Sequence, residues 1–157
     1  MLEQLRKLRE EGKYEEAKSL MERLLEKDPE QANYQYQMAW CYDNLGLEKE
    51  AVPHYERAIQ LGLPAEDLEN AYLGLGSTYR TLGRYKEAVD TFETAITKFP
   101  KAEQLKVFYS MSLYNLGKHH QAMEILLQTL AHTTSDEAVL KYKKAILFYS
   151  DKLDEVW

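Results

Sequence analysis

The sequence has little of what would indicate a secreted, membrane-bound or nucleic-acid-binding protein. Its 157 residues include one cysteine, Cys41, so no disulfide can form within the chain, which suits a reducing, cytoplasmic setting. No apolar run approaches the ~20 residues of a membrane span, and the charged start is unlike a signal peptide. The 20 Lys and Arg against 26 Asp and Glu give a net charge of −6, which argues against binding a phosphate backbone. We expect neither a nucleic-acid nor a membrane partner.

Candidate metal ligands and catalytic groups are also scarce. His119 and His120 are adjacent, so on a helix their side chains point about 100° apart and cannot grip one metal ion well. His54 and His132 have no cysteine or histidine at a metal-ligand spacing. No spacing in the chain indicates an activated nucleophile or an acid–base pair. We therefore predict no metal site, no cofactor and no enzymatic activity.

What the sequence does contain is a pattern that returns about every 34 residues. Four glycines, spaced 34, 37 and 34 residues apart, are each followed five residues later by an alanine. Glycine can take the left-handed backbone that ends a helix, and alanine is small enough to let two helices approach. A fixed period of this length indicates a stacked repeat. The pairs are Gly12 and Ala17, Gly46 and Ala51, Gly83 and Ala88, and Gly117 and Ala122.

Other positions keep the same period. In residues 69–100 they are Tyr72, Leu75, Gly76, Tyr79, Gly83, Tyr85, Ala88, Phe92, Ala95 and Pro100. This set resembles the tetratricopeptide repeat, a helix–turn–helix unit of about 34 residues with such residues at set offsets. The resemblance covers about residues 1–134. It departs at Glu48 and His119, which stand in place of tyrosine, and at Thr129, which stands in place of alanine.

The resemblance implies an all-α fold, an α–α superhelix of about four helical hairpins with a C-terminal capping helix, in a single domain over residues 1–157. The last helix should cover the apolar face left by the final hairpin. Thr134–Glu137 is a candidate capping box for its start. Pro53 comes soon after the start of a predicted helix, so we expect a mild bend and no break there. The expected hairpins span about 1–30, 31–64, 65–100 and 101–134, and the expected cap about 135–150.

In this family the first helix of each hairpin lines a concave groove, so the resemblance places a binding surface on those helices. The groove positions mix aromatic side chains with amides, and Trp, Tyr and Met are residues that anchor interfaces. The alternative for some rings, Tyr36 above all, is packing within the stack. The predicted groove residues are Asn33, Tyr36, Gln37, Trp40, Asp43, Asn70, Ser77, Arg80, Gln104, Phe108, Met111 and Tyr114.

The predicted function is protein–protein interaction, as a scaffold or adaptor whose groove binds a peptide or helix of a protein partner. One subclass of the family grips a C-terminal carboxylate with Lys, Asn and Arg. Here the matching positions hold Tyr36, Trp40, Gly74, Gln104 and Phe108, none of them charged, so we do not expect that chemistry. The alternative is a structural protein that self-associates, for example as a homodimer, through its apolar C-terminal helix and the tail that follows, up to Trp157.

Overall fold

A computed structural model of the protein describes residues 2–157, and every regular element in that range is an α-helix. Met1, the first residue of the expected first hairpin, lies outside the described residues. The all-α fold predicted from the sequence is confirmed. The chain divides into two compact units, which we call unit 1, ending at Gly83, and unit 2, beginning at Arg84. The expectation of a single domain stays a prediction.

Unit 1 contains five helices, and each packs on the next. They are α1 (Leu2–Glu10), α2 (Tyr14–Lys27), α3 (Ala32–Asn44), α4 (Glu48–Leu61) and α5 (Ala65–Thr81). Unit 2 also contains five helices, in which α6 packs on α7, α7 on α8, and α8 on α10. They are α6 (Tyr85–Lys98), α7 (Glu103–Asn115), α8 (His119–Thr133), α9 (Glu137–Leu140) and α10 (Lys143–Tyr149).

The four phased glycines lie between helices, as predicted. Gly12, Gly46, Gly83 and Gly117 have φ angles of 70°, 71°, 75° and 77°. This left-handed conformation is open to glycine because it has no Cβ. After Gly12 the next N–H donates to a carbonyl five residues back at 2.8 Å, which satisfies a carbonyl that the helix end leaves unpaired. Each of the preceding helices ends two residues before its glycine, and the next helix begins two residues after it.

Small residues at the phased positions let the helices pack closely. Ala17, Ala51 and Ala88 are fully buried, and Ala122 is nearly so. Larger apolar side chains fill the space around them in each unit. In unit 1 a core cluster between α1, α2 and α3 consists of Leu5, Ala17, Leu20, Met21, Leu24, Met38 and Cys41. In unit 2 the largest fully buried side chains are Phe92, Leu105 and Leu113.

Helix α4 continues through its internal proline. It runs unbroken from Glu48 to Leu61 with Pro53 inside it, as predicted. Glu48 and Glu50 lie in its first turn, where negative side chains interact favourably with the helix dipole. None of the helices in the described range combines the length and hydrophobicity needed to cross a lipid bilayer.

The C-terminal cap differs from the single helix expected over 135–150, because it is divided into α9 and α10. The N–H of Tyr142 bonds to the carbonyl of Val139, three residues back instead of four, and this tighter bond closes α9. The second piece, α10, packs on α8, as a cap should.

The start of the cap is held by side chains. The Asp136 carboxylate accepts the N–H of Val139 at 3.0 Å, so Asp136 is the N-cap of α9. The N–H of Asp136 in turn donates to the Thr134 hydroxyl at 3.1 Å. The predicted capping box, with Thr134 as the N-cap, is therefore wrong in its position: the N-cap is Asp136, two residues later, because its carboxylate reaches the N–H of Val139.

Candidate functional site

The predicted groove residues of unit 1 lie on α3 and α5. Asn70 is exposed and the others are half-buried, so this face is partly accessible and partly involved in internal contacts. Helix α3 carries Asn33, Tyr36, Gln37, Trp40 and Asp43, and α5 carries Asn70, Ser77 and Arg80.

Trp40 lies at the centre of a group that the sequence-based prediction did not include in full. The guanidinium carbon of Arg9 is 3.4 Å from the centre of the Trp40 ring, which is a close cation–π contact. The Tyr14 ring meets Trp40 edge-on, with 5.8 Å between ring centres. Arg9 Nη1 also donates to Gln37 Oε1 at 2.6 Å. We call Arg9, Tyr14, Gln37 and Trp40 the Arg9–Trp40 cluster.

Arg9 has no ion-pair partner among residues 2–157. Burial lowers the pKa of the Arg9 guanidinium, but an arginine stays charged in proteins. The ionisable groups near enough to influence it are Cys41, Tyr36, Tyr55 and Tyr14, which are neutral at pH 7. None of the ion pairs formed within residues 2–157 includes Arg9. The Arg9–Trp40 cluster therefore holds a half-buried positive charge.

Arg9 could have been found from the repeat itself. It stands three residues before Gly12, the same offset that placed Asp43, Arg80 and Tyr114 in the predicted groove. The first hairpin contributed no residue to that prediction, and Arg9 was missed for this reason.

Asp43 makes its contacts inside unit 1. Its carboxylate accepts a hydrogen bond from the Tyr55 hydroxyl at 2.7 Å and another from the Thr78 hydroxyl at 3.0 Å, which links α3, α4 and α5. Burial raises the pKa of Asp43, and the two hydrogen bonds oppose that rise because they favour the charged form. The Tyr36 ring lies 6.2 Å from the Tyr55 ring. Asp43 and Tyr36 thus contribute to packing as well as to the surface.

Asn33 lies against the neighbouring hairpin of unit 1. Its side-chain nitrogen donates to the Asp67 carboxylate of α5 at 3.4 Å. Its side-chain oxygen is buried and has no hydrogen-bond partner among the residues that the structure describes. This arrangement joins α3 to α5 and leaves little of the Asn33 amide for a partner.

In unit 2 the predicted groove residues lie on α7 and are more open. Met111 is 36% exposed and Tyr114 is 61% exposed. Residues three apart share a face of a helix, so these two side chains are neighbours. The Tyr114 ring packs against His119 with 4.6 Å between ring centres. On the same helix, Gln104 is exposed and Phe108 is half-buried.

A cavity of ≈ 280 Å³ also opens between α6, α7 and α8 of unit 2. It includes none of the predicted groove residues. One of its residues is Thr129, whose buried hydroxyl has no partner among the described residues. The lining residues are Ile96, Glu103, Lys106, Tyr109, Ile125, Gln128, Thr129 and His132.

Two histidines have a polar side chain within hydrogen-bonding distance in the part of the chain that the structure describes. His120 lies 3.2 Å from the Asp154 carboxylate, and His54 is hydrogen-bonded to Gln35. Within residues 2–157 no group of three His, Cys, Asp or Glu side chains is arranged to hold a metal ion.

Comparison with protein families decides the class of the chain. A family profile described as "Tetratrico peptide repeat" matches residues 32–153, and a second, described as "Tetratricopeptide repeat", matches residues 3–30. The chain belongs to the tetratricopeptide repeat (TPR) family. Comparison of this TPR sequence with curated proteins gives no match.

Solved structures of TPR proteins share the fold. MamA matches with a TM-score of 0.70 at 16% identity, over 92% of this chain and 90% of that chain. YrrB, described as a TPR protein with an unusual peptide-binding site, matches with a TM-score of 0.65 at 19% identity, over 96% and 84%. A putative kinesin light chain from Podospora anserina with nearly identical TPR-like repeats matches with a TM-score of 0.72 at 20% identity, over 97% and 84%.

At these identities the likeness shows the fold alone. Family and fold together make the chain a protein-interaction scaffold in the general sense, with protein or peptide partners. TPR proteins are typically non-catalytic.

Proposed function

We propose that this TPR chain binds polypeptide segments of a protein partner on the first helices of the hairpins in each unit, which are α3 and α5 in unit 1 and, separately, α7 in unit 2. Exposed or half-buried apolar side chains anchor each segment, and amides and polar groups hydrogen-bond to its backbone. The proposed anchors are Trp40, Phe108, Met111 and Tyr114. The proposed polar contacts are Gln37, Asn70, Arg80 and Gln104.

The exposed pair on α7 is the observation that carries this proposal. Met111 and Tyr114 are 36% and 61% exposed, although both are large and largely apolar. Met and Tyr are enriched at protein interfaces, where burying them against a partner removes apolar surface from water.

The proposed binding does not depend on positively charged side chains that grip the C-terminal carboxylate of a partner. In unit 1 the positions that would provide them hold Tyr36, Trp40 and Gly74, and the two rings pack on other aromatic side chains. A Cβ at Gly74 would lie 2.6 Å from the Tyr55 ring, so no longer side chain fits there. We therefore propose that the partner contributes an internal apolar or amphipathic segment.

Selection from a displayed library of random peptides, followed by affinity measurement on the peptides obtained, tests the proposal. Met111→Ala and Tyr114→Ala are expected to weaken binding by about tenfold or more, because truncation of an interface anchor costs about 2 kcal/mol. Met123→Ala and Tyr142→Ala are matched controls, since these residues are 43% and 60% exposed but lie outside the first helices. The controls should leave affinity unchanged.

Two results would contradict the proposal. One is a library that yields no peptide with saturable binding. The other is a set of peptides whose affinity falls as much with Met123→Ala and Tyr142→Ala as with Met111→Ala and Tyr114→Ala.

A second candidate function, self-association as a homodimer, is favoured by the C-terminal end of unit 2. The rings of Phe148, Tyr149 and Trp157 contact one another with 5.0 to 6.4 Å between centres. Phe148 and Tyr149 are about half exposed, Trp157 is 78% exposed, and Leu153 is exposed beside them. Apolar patches of this kind on a soluble domain are associated with interaction sites. We call these four residues the C-terminal patch.

Sedimentation equilibrium over a range of concentrations separates the two candidates. Self-association predicts a dimer that the double substitution Phe148→Ser, Trp157→Ser converts to monomer, whereas Tyr114→Ser leaves the dimer intact. A wild-type chain that stays monomeric at the highest concentration would remove this second function and leave the first unaffected.

A further inference from the structure

The guanidinium of Arg9 is fixed in place but has unused bonding capacity. An arginine offers five N–H donors in a planar fork. One of these nitrogens donates to Gln37 at 2.6 Å, and the Trp40 ring covers one face of the group at 3.4 Å. The residue is half-buried, so part of its surface is open to solvent. Stacking and hydrogen bonding together orient the fork before any partner arrives.

We propose that the Arg9–Trp40 cluster binds the side-chain carboxylate of an aspartate or glutamate in the partner segment. This inference rests on the proposed function and adds to it one chemical requirement on the partner. Arginine and carboxylate pair through two parallel hydrogen bonds, and such charge-assisted bonds are the strongest that a neutral-pH interface offers. A fork already held in place loses less conformational entropy on binding than a free side chain does.

Charge complementarity favours an acidic occupant. Arg9 takes part in none of the ion pairs formed within residues 2–157, and the ionisable groups that influence its pKa are tyrosines and Cys41. The Gln37 oxygen is used by Arg9, which leaves the nitrogen of the same amide as an additional donor beside the guanidinium. The two bonded side chains thus bring further N–H donors close together, and a carboxylate can accept hydrogen bonds from such donors.

A side chain fits this arrangement better than a chain terminus does. Arg9 lies against the ring of Trp40 and is half-buried, so a segment lying on the surface of α1 and α3 can reach it with a carboxylate on a flexible stem. The positions that would hold a terminal carboxylate, among them Tyr36 and Gly74, carry no cation.

The test uses the peptides selected from the displayed library, synthesised with both termini blocked so that neither carries a charge. Each Asp is changed to Asn and each Glu to Gln, one at a time, and affinity is measured against the wild-type chain and against Arg9→Gln. At one acidic position, the change to the amide is expected to weaken binding of the peptide to the wild-type chain about tenfold. The same change should weaken binding to Arg9→Gln less than twofold, because the partner of the acidic charge is already gone.

Gln37→Glu provides a second variant that keeps Arg9 in place. Glutamate is isosteric with glutamine, and its carboxylate would form an ion pair with the Arg9 guanidinium within the chain, in competition with the partner's carboxylate. This variant should match or exceed the thermal stability of the wild type while losing the same tenfold in affinity for the acidic peptide. A merely structural role for Arg9 predicts the opposite, which is unchanged or tighter binding in a stabilised chain.

The outcomes distinguish this inference from the proposed function. Peptides that bind unit 1 and depend on Trp40, but whose acidic residues show no coupling to Arg9, would overturn the inference and leave the proposed function standing. Peptides that bind only when their own C-terminus is left unblocked as a free carboxylate would show that a terminal carboxylate is the occupant. That result would also overturn the inference. A library that yields no peptide would overturn both.

Discussion

Tyr55 occupies the space that a side chain at position 74 would need. A Cβ on Gly74 would lie 2.6 Å from the Cζ and the hydroxyl oxygen of Tyr55. The ring cannot move aside easily, because it is 2% exposed and its hydroxyl is held by Asp43. Glycine to alanine within a helix ordinarily stabilises a protein by about 1 kcal/mol. Here we predict the opposite sign, a loss of about 1–3 kcal/mol from overpacking, measured by urea unfolding of Gly74→Ala.

Two further variants make this prediction specific to the contact. Asn70→Ala, at an exposed position of the same helix, should change stability by less than about 0.5 kcal/mol. In a Tyr55→Leu background, Gly74→Ala should lose most of its penalty, since the ring is no longer there. A Gly74→Ala chain at least as stable as the wild type would show that Tyr55 can move out of the way.

His54 is expected to make stability depend on pH. Burial lowers the pKa of His54 below its ordinary value of about 6.5. Its Nδ1 lies 2.6 Å from Gln35 Oε1, and the Gln35 nitrogen donates to the Pro29 carbonyl, so Nδ1 is the donor to Gln35. Below about pH 6.5 the unfolded chain takes up a proton at this position before the folded chain does. Stability is therefore fully present above that pH and is lost as the pH falls toward the folded-state pKa.

The difference in unfolding free energy between the wild type and His54→Leu isolates this effect from the carboxylates that also titrate. It should be larger in favour of the wild type at pH 7.5 than at pH 5. A wild-type advantage over His54→Leu that is equal at the two pH values would contradict the prediction.

At the scale of the helix, Pro53 leaves a gap in the hydrogen bonding of α4. Proline has no N–H, so the carbonyl of Lys49 loses its bond within the helix. The proline ring is exposed and contributes little packing. Replacing proline in a helix interior recovers up to about 3 kcal/mol, and the greater freedom of the unfolded chain takes back about 1 kcal/mol. We predict that Pro53→Ala stabilises the protein by about 2 kcal/mol in urea unfolding. A destabilised variant would show that the proline has a structural use in α4.

Most of the helices could be predicted because their ends are encoded locally. Each phased glycine with its following alanine acts within a few residues, so the limits of α2, for example, follow from Gly12 and the Asp28–Pro29 pair. The division of the cap between α9 and α10 was missed, because it depends on one backbone bond at Tyr142 and on the packing of α10 against α8. Neither leaves a period in the sequence.

The candidate site was predictable in its positions but not in its contacts. The repeat register placed Gln37 and Trp40 on a common face, and the same register applied to the first hairpin would have added Arg9. That Arg9 lies on Trp40 and bonds to Gln37 follows from the packing of α1, α2 and α3, which brings together residues 28 or more positions apart in sequence. Such contacts depend on side-chain conformations that a repeat pattern does not contain.

At the scale of the whole molecule, the local charge at Arg9 and the net charge of the chain have opposite effects on the binding of an acidic peptide. The Arg9–Trp40 cluster presents one positive group, whereas the chain as a whole carries −6. The net negative charge therefore repels an acidic peptide at long range, whereas Arg9 attracts its carboxylate at short range. Repulsion between net charges acts on the rate of encounter, and a half-buried contact acts mainly on the rate of dissociation.

Salt should separate these two effects for an acidic peptide obtained by selection. Raising the salt concentration from 10 to 150 mM shortens the screening length from about 30 Å to about 8 Å. Screening of the net repulsion should raise the association rate constant several-fold, measured by stopped-flow fluorescence of a labelled peptide. The dissociation rate constant should change less than twofold, because water and ions are partly excluded from Arg9 in its contact with Trp40.

In Arg9→Gln the association rate should keep its salt dependence while dissociation becomes about tenfold faster. An association rate that falls as salt is added would mean that the field of the positive group, and not the net charge, controls the encounter.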